Sequence, residues 1–425
     1  MRYLPQTQKS RAEMLAAIGV ASVDDLYRDV PKSAFIQGYA RIDNHKGELE
    51  VERILGAYAN ENQPAGEGPF FLGAGCYNHH VPASVDYIIQ RSEFLTAYTP
   101  YQPEIAQGTL QVIFEFQTMI AVLTGQDIAN ASMYDGATAA AEAALMAMRV
   151  TKRDKVVVGN ALHPHYRETL ATYIGNQSGA VLTEGQPDPQ TACVIIQTPD
   201  FTGTPHALAE WRKLCDETGA LLVVVVNEIV SLGLLPAPVE ADIVCGEAQS
   251  VGVAMSYGGP HLGFFATKEK FLRQMPGRLC GMTLDADGKR GFVLTLNTRE
   301  QHIRREKATS NICTNQGLMA LAFTVHMALL GEGGFKQLAR LNHEAAILLA
   351  DSLAKVPGVK VINKCFFNEF VVELPKSAAS VVRELAQQGV IAGYPFEDNR
   401  LLVCATEMTT DTDIGIFCEA LREVL

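Results

Sequence analysis

The fold is decided by residues 220–265, which read ALLVVVVNEIVSLGLLPAPVEADIVCGEAQSVGVAMSYGGPHLGFF. A first strand ends near Asn227, a second short strand covers Asp242–Cys245, and a turn at Gly258–Pro260 leads into a third strand, Gly263–Thr267. These strands are continuously apolar and do not alternate with polar residues, which is typical of a sheet covered on both faces. Helical stretches separate them from similar runs earlier in the chain, so we predict an α/β fold with a mostly parallel sheet.

The same stretch has the layout of the cofactor-binding core of a pyridoxal-phosphate (PLP) enzyme, but two of its functional groups are missing. In such enzymes the Schiff-base lysine follows the second strand, where this chain has Glu247-Ala248-Gln249-Ser250, and the next lysine is Lys268. Asn227 stands where these enzymes usually place an aspartate that keeps the pyridine nitrogen protonated. We therefore predict a degenerate site in which no internal Schiff base forms.

Length and composition bound the class of protein. The chain has 425 residues, of which 48% are hydrophobic and 19% are charged, as in a globular protein of two or three structural units. Its formal charge of −12 disfavours nucleic acid and anionic membranes as partners. Nine cysteines without a Cys-x-x-Cys pair suit reduced core thiols, and we expect a cytoplasmic location. Composition shifts predict an N-terminal helical segment (1–68), a large domain (69–308) and a smaller α+β domain (309–425).

Two turns in the large domain are candidates for cofactor contacts. Met133–Thr138 precedes the Ala-rich helix Ala139–Met148, and free amides at such a helix start suit a phosphate, although an ordinary capped helix explains the pattern equally. His163 lies in the loop after the strand Val156–Gly159, where PLP enzymes stack a ring on the pyridine. His163 and His165 could also bind a metal, but no third ligand is suitably spaced, so we expect a structural loop and no metal.

Two further segments carry polar groups that are suited to a site. Phe94–Gly108 contains Tyr98, Tyr101, Gln102 and Glu104 between two prolines, which limit the backbone freedom of the loop. Buried tyrosines in a structural loop are an equally good interpretation of its composition. The second segment, 304–315, carries cations that bind an anion or merely flank the next helix, for which Ser310, Asn311 and Thr314 are suitable caps.

Four strings together closely resemble one family, the first subunit of the two-subunit glycine decarboxylase, which is the P-protein of the glycine cleavage system. The strings are AYTPYQPEIAQGTLQ (97–111), SMYDGATAAAEAALMA (132–147), DIVCGEAQSVGVAMSYGGPHLGFFATK (242–268) and REKATSNICTNQ (305–316). The resemblance covers essentially the whole chain. It implies a fold-type-I PLP-dependent transferase architecture, like that of aspartate aminotransferase.

The resemblance also implies a division of labour between two subunits. A partner subunit would carry the lysine and PLP, in an α2β2 assembly, and this chain would complete the site across the interface. The complex would decarboxylate glycine and pass the aminomethyl group to the lipoyl arm of H-protein. On this reading Tyr98, Tyr101, Gln102 and Glu104 would act at the partner's active site, and Asn311 and Thr314 would lie near the partner's PLP.

Two alternatives remain open at the level of sequence. The chain could be a self-sufficient PLP enzyme with a displaced lysine, for which Lys268 is the nearest candidate. It could also be a scaffold or regulator without catalytic function that kept only a dimer-forming surface. Bound PLP that borohydride reduces onto a lysine would support the first alternative, and activity with any partner would remove the second.

Overall fold

The computed structural model describes residues 6–36, 38, 45–95 and 98–425, and the chain divides into two compact units, Met1–Gln63 and Pro64–Leu425. In the described part of the first unit the α-helices are α1 (Gln8–Ile18) and α2 (Glu48–Ala59). Thr7 begins α1 with a capping box, because its hydroxyl accepts from Ser10 N while the Ser10 side chain accepts from Thr7 N. Both helices lie within the segment 1–68 that was predicted to be helical.

The second unit contains the remaining elements. Its described α-helices are α3 (Ala83–Ile89), α4 (Ser92–Leu95), α5 (Gln107–Thr124), α6 (Gly136–Thr151), α7 (Pro164–Gly175), α8 (Ala209–Thr218), α9 (Gln301–Arg304), α10 (Gly317–Leu353), α11 (Ala378–Gln387) and α12 (Asp411–Val424). Its strands are β1 (Ile128–Ala129), β2 (Lys155–Val158), β3 (Val181–Glu184), β4 (Thr191–Gln197), β5 (Leu221–Val226), β6 (Ile243–Glu247), β7 (Gly263–Thr267), β8 (Leu279–Leu284), β9 (Arg290–Thr295), β10 (Lys360–Val361), β11 (Glu369–Glu373), β12 (Tyr394–Glu397) and β13 (Arg400–Cys404).

The large sheet has the order β1-β7-β6-β5-β4-β2-β3 within the described residues. The neighbours from β3 to β6 pair in parallel, while β7 runs antiparallel to both β6 and β1. The side chains of β5 from Leu222 to Val226 are buried, as its unbroken β-branched run requires of a central strand covered on both faces. The predicted mostly parallel α/β sheet is confirmed.

The direction of β7 decides where Lys268 lies. Thr267, its neighbour in the chain, pairs with Ile243 at the start of β6, whereas Gly263 pairs with Glu247 at the end of β6. Lys268 is one residue beyond Thr267 and therefore lies about 17 Å from the end of β6, at roughly 3.3 Å per residue. Its ammonium donates to Val239 O at 3.0 Å. The idea that Lys268 is a displaced Schiff-base lysine is wrong for this reason.

Helix α10 connects two hydrophobic cores and is interrupted once. Gly331 has φ 58° and ψ −175°, a conformation outside the helical region that favours glycine. Before this break Phe323 packs into the core beneath the large sheet, and after it Leu349 packs into the core of the C-terminal sheet. Although α10 is long and apolar enough to cross a membrane by composition, its buried residues and its break identify it as a core helix.

The C-terminal part forms a smaller α+β layer, in agreement with prediction. Its antiparallel sheet has the order β10-β11-β13-β12, and the apolar side of α12 covers it with Phe417, which stacks on Phe71 at a ring-centroid distance of 4.6 Å. A separate hairpin, β8–β9, packs on α5, where Cys280 and Phe292 form a small core with Leu110 and Ile113. The base of this hairpin positions the surface described below.

Candidate active site

The sequence made the N-terminus of α6 a candidate phosphate site. In the structure, a carboxylate of the chain itself occupies this position. Glu247 Oε2 accepts from Gly136 N at 3.1 Å, and Glu247 Oε1 accepts from Gln249 N at 3.0 Å and Leu262 N at 2.7 Å. Only 4% of Glu247 is exposed. Burial raises the pKa of Glu247, while His261 and the three amides favour the charged form. The helix start is thus capped, and the amides are already satisfied.

The position expected for a pyridine ring is filled by backbone. His163 Nε2 hydrogen-bonds Ala74 O at 2.8 Å, and His163 Nδ1 accepts from His165 N at 3.1 Å. Gly75 follows with φ +92°, and a Cβ added to it would lie 2.9 Å from His163 Nε2 and 3.4 Å from Asn227 Nδ2. The backbone at Gly75 therefore lies against both the side chain that would stack on a bound ring and the side chain that would meet its pyridine nitrogen. As expected, His163 belongs to a structural loop.

A cluster of hydrogen-bonded side chains fills the region after β6, where a Schiff-base lysine was expected to be missing. Ser250 Oγ donates to Glu228 Oε2 at 3.2 Å. His79 donates from Nε2 to Glu228 at 3.0 Å and from Nδ1 to Glu407 at 2.9 Å. Asn342 adds a bond to Glu407 at 2.8 Å. This buried cluster joins the large sheet to the C-terminal layer where a Schiff-base lysine would otherwise need space.

These contacts show that the residues present do not fit a bound PLP. The cavity between Asn227, Glu228 and Glu369 has a volume of about 10 Å³, which holds roughly one water molecule. Small-molecule pockets are typically at least about 300 Å³. This small cavity shares Asn227 with the filled region bounded by Gly136, His163, Asn227 and Glu247, which we call the cofactor-like cleft. The described residues also contain no cluster of side chains suited to a metal ion.

One carboxyl beside the cleft has a raised pKa. Glu369 Oε1 accepts from Ala74 N at 2.5 Å, and Tyr77 lies 3.1 Å from Glu369 Oε2. Burial raises the pKa of Glu369 to about 8, against a reference of 4.5. The folded chain therefore binds one more proton than the unfolded chain at pH values between these limits.

We expect Glu369→Gln to remove a pH dependence of stability. A raised carboxyl pKa makes wild-type stability fall as pH rises from about 4.5 to about 8, with a slope of up to about 1.4 kcal/mol per pH unit. The amide of the variant mimics the neutral acid and does not titrate. Urea unfolding of both proteins across this range measures the difference. Parallel stability curves would contradict the assignment.

A second region has the opposite character, since it is exposed yet firmly fastened. We call residues 98–106 the tyrosine loop. Tyr98 and Tyr101 are 74% and 72% exposed, and Gln102 and Glu104 are exposed as well. Thr96 and Ala97, which precede the loop within the segment Phe94–Gly108, lie outside the described residues.

The tyrosine loop is tied to the β8–β9 hairpin at its end. Gln107 Nε2 donates to Pro103 O at 2.7 Å and to Phe292 O at 2.9 Å. Phe292 N donates back to Gln107 Oε1 at 2.8 Å. These bonds hold the backbone of the loop while leaving its tyrosines, glutamine and carboxylate outside.

The 309–316 segment is hydrogen-bonded to the residues between β1 and α6. Cys313 N and Thr314 N donate to the hydroxyl of Tyr134 at 2.9 and 3.3 Å. Asn315 Nδ2 donates to Ala131 O at 3.0 Å. Asn311 is exposed on the same segment. The capping role considered for this segment is wrong, because α10 begins after Gln316 and has no side-chain cap.

Arg278 joins the tyrosine loop to the 309–316 segment. Its Nη1 donates to both Thr99 Oγ1 and Thr314 Oγ1, the latter at 3.2 Å. Its Nε lies 3.8 Å from Glu300 Oε2, and only 7% of Arg278 is exposed. A buried guanidinium with several donors in a fixed plane can hold two hydroxyls at once. The structure thus brings the loop of Tyr98 and Tyr101 together with Thr314.

Sequence analysis missed Arg278. The available signal was an arginine in Met275-Pro276-Gly277-Arg278, at the start of an apolar strand where a charge needs a partner. A second buried arginine supports the turn before it, since Arg299 donates to Met275 O and to Gly277 O. Neither partner could be identified from spacing along the chain.

Comparisons with known proteins agree with this architecture. The model of the family "Glycine cleavage system P-protein" matches residues 1–421. The chain belongs to the glycine cleavage system P-protein family. A curated relative from Rhodospirillum centenum, named probable glycine dehydrogenase (decarboxylating) subunit 1, is 58% identical, with all of both chains covered.

Solved structures extend the comparison of this P-protein family chain. A crystal structure of glycine decarboxylase (P-protein) in inhibitor-bound form matches with a TM-score of 0.92 and 43% identity, covering all of both chains. A C-DES variant with glycine covalently linked to its PLP cofactor matches with a TM-score of 0.60 and 16% identity, covering 84% of this chain and 97% of that one. This second similarity concerns the fold alone, and both confirm the predicted PLP-transferase architecture.

Proposed function

We propose that this chain is the subunit without PLP in a two-subunit glycine dehydrogenase (decarboxylating), and that it completes the active site of a PLP-bearing partner. Two features of the chain support this. Its own cofactor-like cleft is filled by Glu247 and by the backbone at Gly75. Its exposed tyrosine loop and its 309–316 segment, in which Asn311 and Cys313 are exposed, are held in place by Arg278, as a surface that meets a partner must be.

The reaction of the complex is the decarboxylation of glycine and the transfer of its aminomethyl group to the lipoyl arm of H-protein. PLP on the partner supplies an electron sink for the bond that breaks. The assembly is α2β2 and cytoplasmic. This chain's contribution is to position groups and to exclude water, which are effects that a fixed wall of side chains provides.

The residues of this chain have separate roles in the proposal. The hydroxyls of Tyr98 and Tyr101 and the amide of Gln102 contact substrate or cofactor across the interface, and Glu104 contributes a carboxylate to the same wall. Asn311 and Thr314 lie near the partner's PLP. Because Arg278 joins Thr99 to Thr314, a displacement of one segment also displaces the other.

Reconstitution tests the proposed function. The chain is mixed with its partner subunit and lipoylated H-protein, and glycine-dependent exchange of CO2 is measured, with each subunit alone as a control. We expect activity only in the mixture. Activity of this chain alone would refute the proposed division of labour, and an inactive but fully assembled complex would favour a scaffold.

We expect Tyr98→Phe and Tyr101→Phe each to lower turnover of the assembled complex by about 10-fold or more, because each removes one hydroxyl that contacts the reacting groups. Both side chains are largely exposed in this chain, so its own stability should not change. Tyr87→Phe is a matched control, since Tyr87 is 66% exposed but lies in α3, outside the tyrosine loop. Unchanged turnover with intact assembly would refute a role for the hydroxyls.

A further inference from the structure

The strongest feature outside the proposed surface is the carboxylate at the start of α6. A helix N-terminus attracts anions because its first amides have no partner within the helix and because the helix dipole is positive there. In this chain Asp135 satisfies Thr138 N at 2.8 Å, and Glu247 satisfies Gly136 N. The anion-binding amides are therefore used by two side chains of the protein itself.

The position of Glu247 is set by more than the helix. Its Oε1 also accepts from Gln249 N in the turn after β6 and from Leu262 N just before β7. One carboxyl group thus connects three backbone segments, which are the start of α6, the turn after β6 and the residue before β7. His261 Nδ1 lies 3.7 Å from its Oε2, which places a further positive group beside it when protonated.

The remainder of the cleft is closed independently of Glu247. Asn227 Oδ1 is buried without a hydrogen-bond partner, and the backbone of Gly75 lies against the amide of the same residue. A cleft that awaited a ligand would not have backbone across its ring position. The arrangement is that of a site that has been filled from within.

We propose that the carboxyl group of Glu247 takes the place of a phosphate at the start of α6, so that this chain folds around its vestigial site without any phosphate ligand. The proposal concerns folding and ligand binding and does not depend on the proposed catalytic role. It implies that removal of the Glu247 carboxylate is enough to create a binding site for small anions, while the rest of the cofactor-like cleft stays unchanged.

Chemical rescue tests this inference. Glu247→Ala removes a group equivalent in size to acetate, and we expect it to lower the melting temperature by about 5 °C because three buried amides lose their acceptor. Acetate or inorganic phosphate, added at constant ionic strength against chloride, should restore most of this loss. The wild-type melting temperature should not respond to either anion beyond the chloride control.

Two control variants keep the test decisive. Glu142→Ala removes another buried carboxylate from the middle of α6, where free amides are not available, and anions should not rescue it. Glu247→Gln keeps the volume but not the charge, so it should fold, lose stability and show no rescue. A Gln variant as stable as wild type, equal rescue of both alanine variants, absence of any rescue, or a phosphate-dependent shift of wild type would each overturn the proposal.

Discussion

Replacement of Arg278 by alanine is expected to reduce turnover of the assembled complex by about 100-fold, because small displacements of positioning groups have effects of this size. Arg278 donates to Thr99 and Thr314 and lies beside Glu300. Without it, the tyrosine loop and the 309–316 segment lose the side chain they share. The loss should appear mainly in kcat, measured as glycine-dependent CO2 exchange at saturating glycine.

Arg290→Ala is the matched control for this experiment. Arg278 comes just before the β8–β9 hairpin, and Arg290 lies within that hairpin at the start of β9. Arg290 is exposed, with its guanidinium 5.7 Å from the ring centroid of Phe292. Its removal should leave turnover close to wild type.

Further variants distinguish positioning from a general loss of structure. Arg278→Lys keeps the charge but cannot hold two hydroxyls in one plane, so we expect an intermediate rate. Free guanidinium at low millimolar concentration should partly restore Arg278→Ala. If Arg278→Ala instead retained full turnover, or lost it only because the subunits no longer assembled, the positioning role would be refuted.

Replacement of His79 by alanine is expected to destabilise the chain by about 3–5 kcal/mol, the range found when one partner of a buried ion pair is removed. Burial opposes the charged form of His79, but Glu228 and Glu407 outweigh it and raise the pKa of His79 to about 10. The variant leaves two buried carboxylates without their shared cation. Urea unfolding near neutral pH measures the loss.

The adjacent histidine provides the control. The His80 side chain is exposed, and its backbone N–H, which donates to Glu407 at 2.7 Å, is kept in His80→Ala. Because the pKa of His79 is raised in the folded state, its stabilisation is complete below about pH 6.5 and is lost as pH approaches about 10. Equal stabilities of His79→Ala and His80→Ala would show that the buried cluster does not stabilise the fold.

The sequence predicts the central strands of the large sheet well because they are buried. β5 is entirely apolar, β6 and β7 each contain one polar side chain at their end, and their bounds differ from the predicted ones by at most a few positions. β3 and the hairpin β8–β9 were not predicted, since their partly exposed side chains alternate irregularly and resemble loop sequence. The break at Gly331 was likewise not predicted, although Gly333 and Gly334 follow it closely, because glycines inside an apolar helical pattern are an ambiguous signal.

In the candidate site, too, some features could be predicted from the sequence and others could not. The absence of a lysine after β6 and the neutral Asn227 are visible in the sequence, because they are matters of residue type at a predicted position. The filling of the cleft is not, since Gly75, His163 and Glu247 meet only through the tertiary fold. Arg278 was missed for the same reason, as its partners lie 179 and 36 residues away.

The internal filling of the cofactor-like cleft also means that no single substitution would give this chain a PLP site of its own. A Ser250→Lys change would return an amine, but Glu247 would still occupy the phosphate position and the backbone at Gly75 would still cross the ring position. Each reversal alone would cost stability and return no activity. Under the proposed division of labour, this subunit would therefore stay dependent on its partner after any one of these changes.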